Sequence, residues 1–299
     1  MPFFGELCAL ITACFWSMSP LFFSAAIARV GTVTVNITRL TFALIFLVLS
    51  VLVMQYSVSL TPLQYFYLSI SGFLGLVFGD SFMFKGFQHI GARITMLIMA
   101  LSPAIAALLA YIVLGEAMPA LGIIGIAVTL AGIAWVVFER SPEESAQAPK
   151  KLSSMGLLYA FFGAAGQGAG LVFAKLAFRS GGDVNGLVAT LIRIAAAWAI
   201  LIPIAAVSKT MKNPVATFRA EPRALWLTAG GAVVGPFLGI TFSLIAVAHT
   251  QVGVAATIMA MVPIVMLPLL RIFYKEKLSW KSIAGAFVAV GGVVLLFLK

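Results

Sequence analysis

The chain contains an internal repeat: residues 75–132 align without a gap with residues 235–292, at a shift of 160 positions. Fifteen of the 58 aligned positions are identical. Chance matches of Leu, Val and Ala are expected in an apolar chain, but the matched pairs His89/His249, Pro103/Pro263 and Glu116/Glu276 are not explained by chance in the same way. The sequence therefore predicts two copies of one unit, and duplication of this kind recurs in membrane proteins.

The apolar character of the chain indicates a membrane protein. Hydrophobic residues make up 62% of the sequence and charged residues only 9%, whereas soluble domains carry about a quarter charged residues. Apolar runs of about 18 residues or more predict transmembrane helices. The prediction is an all-α membrane protein with ten transmembrane helices, at residues 5–28, 32–54, 63–88, 92–114, 118–138, 154–178, 184–208, 224–248, 252–273 and 278–298.

A strongly polar stretch near the middle divides these spans into five and five. We therefore expect a first five-helix repeat at 1–138, a polar linker at 139–153 and a second five-helix repeat at 154–299. Because five is odd, the second copy enters the membrane from the opposite side, which makes the halves inverted-topology repeats. Most Lys and Arg residues fall in loops after odd-numbered spans, so the positive-inside rule places both termini outside.

Asp80 is the only acidic residue far inside a predicted span. An ionised group at that depth costs several kcal/mol, so it is expected to face the bundle interior or water. It is a candidate to bind the ammonium group of a substrate or to carry a coupling proton. The alternative is a structural partner for Arg39, Arg193 or Lys85.

Further candidates for substrate binding share a span interior with small or polar neighbours. Either buried arginine, Arg39 or Arg193, could take a substrate carboxylate through its planar fork; alternatively, both fix helix ends by bonding backbone carbonyls. Helix packing is likewise the alternative for the side chains expected to line a pocket beside them, which are Trp16, Asn36, Phe84, Met99, Gln167 and Met259.

Several signals of other functions are missing from the sequence. Two histidines without a neighbouring Cys or carboxylate cluster predict no metal site. No phosphate-binding loop, His-Glu-x-x-His or Gly-x-Ser-x-Gly motif occurs, so we expect neither an enzyme nor a bound cofactor. The net charge of +10 is explained by basic cytoplasmic loops and does not predict a nucleic-acid partner.

A set of short motifs gives the chain a family resemblance. They are Trp16, Arg39 and Arg193, the series Gly91-Ala92, Ser102-Pro103 and Leu114-Gly115-Glu116, and the second series Val252-Gly253, Pro263 and Lys275-Glu276. With these motifs the chain resembles the drug/metabolite transporter superfamily in its ten-helix EamA-type form. The resemblance implies transport of small organic solutes across a bacterial inner membrane. It also implies that spans 1–4 and 6–9 enclose a cavity, braced by spans 5 and 10.

The expected function is secondary active or gradient-driven transport of a small organic metabolite, with export of an amino acid or amine by alternating access. The expected partners are a small-molecule substrate and membrane lipid, with protons as a candidate coupling ion, and the protein is expected to be a monomer or homodimer. The alternatives are an uptake permease of the same fold, or a membrane scaffold or enzyme without transport activity.

Overall fold

The computed structural model describes residues 3–138, 153–207, 214–262, 264–265, 268 and 280–297. Every regular element in these residues is helical. Two of these elements are π-helical segments: Phe73–Gly79 joins the α-helices Pro62–Gly72 and Asp80–Met99, and Val233–Phe237 joins the α-helices Pro222–Ala232 and Leu238–His249. The α-helices are α1 (Phe4–Val30), α2 (Thr32–Val53), α3 (Pro62–Gly72), α4 (Asp80–Met99), α5 (Ser102–Leu114), α6 (Ala120–Phe138), α7 (Ser154–Arg179), α8 (Gly186–Val207), α9 (Pro214–Ala220), α10 (Pro222–Ala232), α11 (Leu238–His249), α12 (Val252–Met259) and α13 (Trp280–Phe297).

Six helical stretches in the described residues are long and apolar enough to cross a membrane: Phe4–Val30, Val33–Val53, Pro62–Gly86, Ser154–Arg179, Gly186–Val207 and Pro222–His249. Three shorter apolar helices are Ser102–Leu114, Ala120–Trp135 and Ile283–Leu295. The all-α prediction is confirmed, while the count of ten spans stays a prediction. Much of the ninth predicted span, Glu276 and all of the predicted linker except Ser153 lie outside the described residues.

The helix ends follow from local sequence. Thr61 accepts a hydrogen bond from the Gln64 backbone N–H, and the Gln64 side chain accepts one from the Thr61 N–H, which together form a capping box before Pro62. Gly115 ends α5 with a φ of 65°, a left-handed conformation that glycine adopts without strain. The connection between the predicted spans 184–208 and 224–248 contains a short helix, α9 (Pro214–Ala220).

The helical segment α4 contains a reversal of chain direction. A Cβ built on Gly86 would lie 2.8 Å from Cγ2 of Thr95, although nine residues of straight helix rise roughly 13 Å. A Cβ on Gly163 would lie 3.1 Å from both the Met83 nitrogen and the Met99 sulfur. The chain therefore turns back between Gly86 and Thr95, where the sequence predicted a break between spans, and α4 has one helical part on each side of this turn.

Each copy packs its first helix against the π-helical region of the other copy. In α7, Gly156 lies against Ile90, and Gly170 lies against Gly75, so α7 runs antiparallel to the α3–α4 stretch. In the other copy, Gly231, Gly235 and Gly239 face α1 in descending order along it, at Phe23, Ser19 and Trp16. Glycines let these helix backbones approach closely.

Helices α6 and α13 pack against each other, and their contacts are symmetric between the two copies. Gly132 lies against Ala289, and Gly292 lies against Thr129. Shifting either contact by 160 positions gives the other, as a two-fold relation requires. The order of the contacts also shows that α6 and α13 run antiparallel.

Candidate functional site

Asp80 lies at a junction of helices from both copies. It begins α4, directly after the first π-helical segment, and is 6% exposed. Its Oδ2 accepts a hydrogen bond from Nη2 of Arg39 in α2 at 2.5 Å, and its Oδ1 accepts one from Nε2 of Gln167 in α7 at 2.8 Å. Each carboxylate oxygen is therefore bonded, one to each copy of the repeat.

Arg39 is held in place by side chains. Its Nε donates to Oδ1 of Asn36 at 2.8 Å. Its guanidinium carbon lies 5.5 Å from the ring centroid of Phe23 and 5.8 Å from that of Phe84. Aromatic faces at this distance attract a cation, so the Arg39–Asp80 pair has an apolar but favourable surrounding.

The π-helical segment positions Gln167 against Asp80. The Gly75 carbonyl accepts the Asp80 N–H, five residues further along the chain, and also accepts a hydrogen bond from Gln167 Nε2 at 3.1 Å. A Cβ on Gly79 would lie 3.3 Å from the Gln167 backbone nitrogen, so glycine at this position lets α7 approach. π-Helical turns of this kind often occur at functional sites.

Arg193 in α8 lies beside this cluster and is 3% exposed. A Cβ on Gly75 would collide with its Nη2, and a Cβ on Gly72 would collide with its carbonyl oxygen. The guanidinium is within electrostatic range of Asp80. Its Nε and Nη1 are buried and have no hydrogen-bond acceptor in the described part of the chain.

The three partners predicted for Asp80 differ in their positions. Arg39 forms the ion pair, and Arg193 is a second nearby cation. Lys85 is exposed and lies 5.3 Å from the ring centroid of Phe82 and 5.4 Å from that of Tyr159, on aromatic surface. Arg39 bonds side chains, unlike the carbonyl-bonding alternative considered from the sequence.

Three of the predicted pocket residues lie outside the hydrogen-bonded cluster. Trp16 packs against Gly239 of the other copy and borders the two largest apolar clusters. Met99 lies against Gly163, one helical turn from Gln167. Met259 is 3% exposed and belongs to an apolar core, so ordinary packing accounts for its position.

Lys175 is a buried charge that was not among the residues predicted from the sequence. The Lys175 ammonium donates to the carbonyls of Val247 at 2.6 Å, Ala248 at 3.1 Å and Thr250 at 3.0 Å, which terminate α11. A cation at a helix C-terminus is electrostatically favourable. Its signal was available, because Lys175 lies in an apolar helix as Asp80 does.

Near Lys175 a second polar network joins the ends of several helices. Glu116 accepts hydrogen bonds from Arg179 at 2.7 Å and from the Val252 N–H at 2.9 Å, so it caps α12. A cavity of about 640 Å³ borders this network and is lined in part by Glu6 and Lys175. No group of three or more His, Cys, Asp or Glu side chains within the described ranges is arranged to hold a metal ion.

The chain is similar to one protein family model and to solved structures. The model of the EamA-like transporter family matches residues 3–138 and again residues 154–298. A solved crystal structure of a protein is 18% identical in sequence to this chain and superposes with a TM-score of 0.76. The alignment covers 98% of this chain and 97% of that one. The likeness to that structure shows a shared fold. No curated protein matches the chain.

Proposed function

Because the chain belongs to the EamA-like transporter family, it is a multi-pass membrane transporter of small molecules, and we propose that it exports an amino acid or amine. The proposed location is the bacterial inner membrane, and the proposed mechanism is alternating access between two inverted repeats. Transport is driven by the gradient of the substrate itself or by exchange with protons.

The observation that carries this proposal is the charged cluster in the apolar bundle. The first copy supplies Asn36, Arg39 and Asp80, and the second copy supplies Gln167 and Arg193. Charged side chains inside a membrane are costly and usually mark a substrate or ion pathway. A static scaffold has no need of such a cluster where its two halves meet.

The helix packing supports the inverted arrangement. Antiparallel α6 and α13, with contacts exchanged by the 160-residue shift, fit a two-fold axis perpendicular to the helices. The reciprocal packing of α1 and α7 against the opposite copy fits the same axis. Spans 1–4 and 6–9 then form the moving parts of the pathway, and spans 5 and 10 form its brace.

The contacts of Asp80 suggest how substrate binding is linked to movement. The Gln167–Asp80 hydrogen bond joins the two copies. A substrate ammonium or a proton that binds Asp80 competes with this bond and so weakens one of the contacts that hold the copies together. At the helix ends, the Glu116–Arg179 ion pair also joins the copies and is a candidate gate on the proposed outer face.

Reconstitution tests the proposed function. Proteoliposomes that contain the purified protein are loaded with an unlabelled L-amino acid or amine. They should accumulate the labelled form of the same solute by counterflow, and liposomes without protein should not. The control variant is Arg223→Gln, which replaces an exposed arginine at the start of α10. This variant should transport normally. If neither amino acids nor amines exchange, the proposed function is wrong.

The direction of transport is tested in cells. Cells that produce the protein should lose a preloaded amino acid faster than cells that produce the Asp80→Asn variant. Faster net accumulation under the same gradients would instead identify an uptake permease.

A further inference from the structure

We propose that Arg193 is the carboxylate subsite of this transporter, so that its substrates carry a carboxylate and simple amines are excluded. This inference rests on the proposed function and narrows its substrate class. It assigns a binding role to the one residue of the cluster whose hydrogen-bonding capacity is largely unused.

The guanidinium of Arg193 has unused hydrogen-bonding capacity. Nε and Nη1 of Arg193 together carry three of the five guanidinium N–H groups. Both nitrogens are buried and find no acceptor among the described residues. Buried polar groups are nearly always paired, and leaving one unpaired is costly. The structure therefore holds donors ready for an acceptor that the described residues do not supply.

The charges of the cluster do not balance. Two guanidinium groups, Arg39 and Arg193, lie near a single carboxylate, Asp80. That carboxylate already accepts from Arg39 and Gln167. One buried positive charge thus remains in excess within the described cluster, and a buried charge is tolerated far better with a partner. An anionic group on the substrate would provide that partner.

The two copies of the repeat differ in their charged residues. Arg39 and Arg193 occupy matching places in the second spans of the two copies. In the first copy the acid Asp80 pairs with Arg39. The position 160 residues further along is Ile240, so the second copy has no acid there for Arg193. The repeat thus keeps both cations but only one of the two anions.

The fold leaves space for the Arg193 side chain. Glycine at position 75 leaves space for the Arg193 guanidinium, and glycine at position 72 leaves space for its backbone carbonyl. The same Gly75 carbonyl holds Gln167 next to Asp80. An amino acid whose carboxylate binds Arg193 would therefore have its ammonium group directed toward Asp80. A simple amine has no hydrogen-bond acceptor for Arg193.

Matched ligands test the inference on the unmodified protein. Thermal unfolding and counterflow are measured with L-leucine, L-leucine methyl ester, isoamylamine and 4-methylpentanoate, and with the corresponding phenylalanine set. The free acids should stabilise the protein and exchange. The esters and amines, which lack the anion, should bind at least about tenfold more weakly. Equal binding by esters or amines, or no stabilisation by any carboxylate, overturns the inference.

Variants separate this inference from the proposed function. Arg193→Gln should lose the preference for acids over esters, Arg193→Lys should retain part of it, and Arg223→Gln should retain it fully. If Arg193→Gln does not fold, the ligand series on the unmodified protein still decides the matter. Exchange of amines but not of acids would leave transport established and the carboxylate subsite wrong. Failure of every solute to exchange would contradict the proposed function itself.

Discussion

At the scale of single residues, the Arg39–Asp80 pair has a role in the stability of the fold and a proposed role in transport. The side chains are 13% and 8% exposed, so both charges are largely removed from solvent. Removing one partner of a buried pair leaves the other charge uncompensated, and this typically costs about 3–5 kcal/mol. Replacing both partners by neutral groups costs far less. Stability and transport can therefore be separated by a double-mutant cycle.

We expect Asp80→Asn and Arg39→Gln each to lower stability by on the order of 3 kcal/mol and to abolish transport. The double variant should regain much of the stability, because neither member of this ion pair is left without the other. It should still fail to transport, because the substrate and proton site is gone. Thermal unfolding in detergent and counterflow in proteoliposomes measure the two effects.

Transport at the normal rate by the double variant would show that the pair serves only the architecture. Arg223→Gln is the matched control for loss of an arginine charge, since this side chain is exposed at the start of α10. It should change stability by no more than about 0.5 kcal/mol.

The sequence indicated much of this cluster but not its internal geometry. Asp80, Arg39 and Arg193 stand out because each is charged within an apolar run. Which arginine bonds the acid depends on the π-helical segment before Asp80 and on the approach of α7. Neither is encoded in hydrophobic periodicity, because both depend on contacts between residues far apart in the sequence.

At the scale of helices, close packing depends on small residues placed on one face. Gly132 of α6 contacts Ala289 of α13, and Gly292 contacts Thr129. Around Gly291, by contrast, an added Cβ would meet nothing within 4 Å. Adjacent glycines at 291 and 292 thus provide a matched pair, one at the interface and one facing away from it.

Gly292→Ala and Gly132→Ala should each lower the free energy of unfolding by about 1–3 kcal/mol, because the added methyl overlaps backbone of the facing helix. Gly291→Ala should be neutral or stabilising by up to about 1 kcal/mol, since alanine favours helix and meets no neighbour. Thermal or denaturant unfolding in detergent provides the comparison. Equal effects at 291 and 292 would mean that α6 and α13 do not pack in this way.

Helix positions were more predictable than helix interiors. The apolar runs located the helical stretches, and the expected break at 89–91 coincides with the reversal between Gly86 and Thr95. The π-helical segments were not predicted, because a change in hydrogen-bond register leaves apolar composition unchanged. The matching positions of the two segments, 160 residues apart, became visible only in the folded chain.

At the scale of the whole molecule, the central question is how the two copies lie relative to the membrane. The 160-residue shift extends to the starts of α3 and α10, where Pro62 and Pro222 occupy the same helical position. Just before these prolines lie Ser59 and Arg219, which are both exposed and also 160 residues apart. Inverted repeats place such matched loops on opposite sides of the membrane.

We expect Ser59→Cys to react with a membrane-impermeant maleimide added to intact cells, and Arg219→Cys to react only after permeabilisation. The background variant carries Cys8→Ala and Cys14→Ala, so that no native thiol contributes. The direction of the difference follows from the basic loops after odd-numbered spans, which the positive-inside rule assigns to the cytoplasm. Counterflow by each cysteine variant, measured before maleimide labelling, verifies that the variant is folded.

The possible results separate topology from orientation. If Arg219→Cys labels from outside and Ser59→Cys only after permeabilisation, the repeats are inverted but the termini are cytoplasmic, contrary to the charge distribution. If both positions label from the same side, the copies are parallel. The symmetric contacts between α6 and α13 would then need another explanation. Alternating access of one site to the two sides of the membrane would also lose its structural basis.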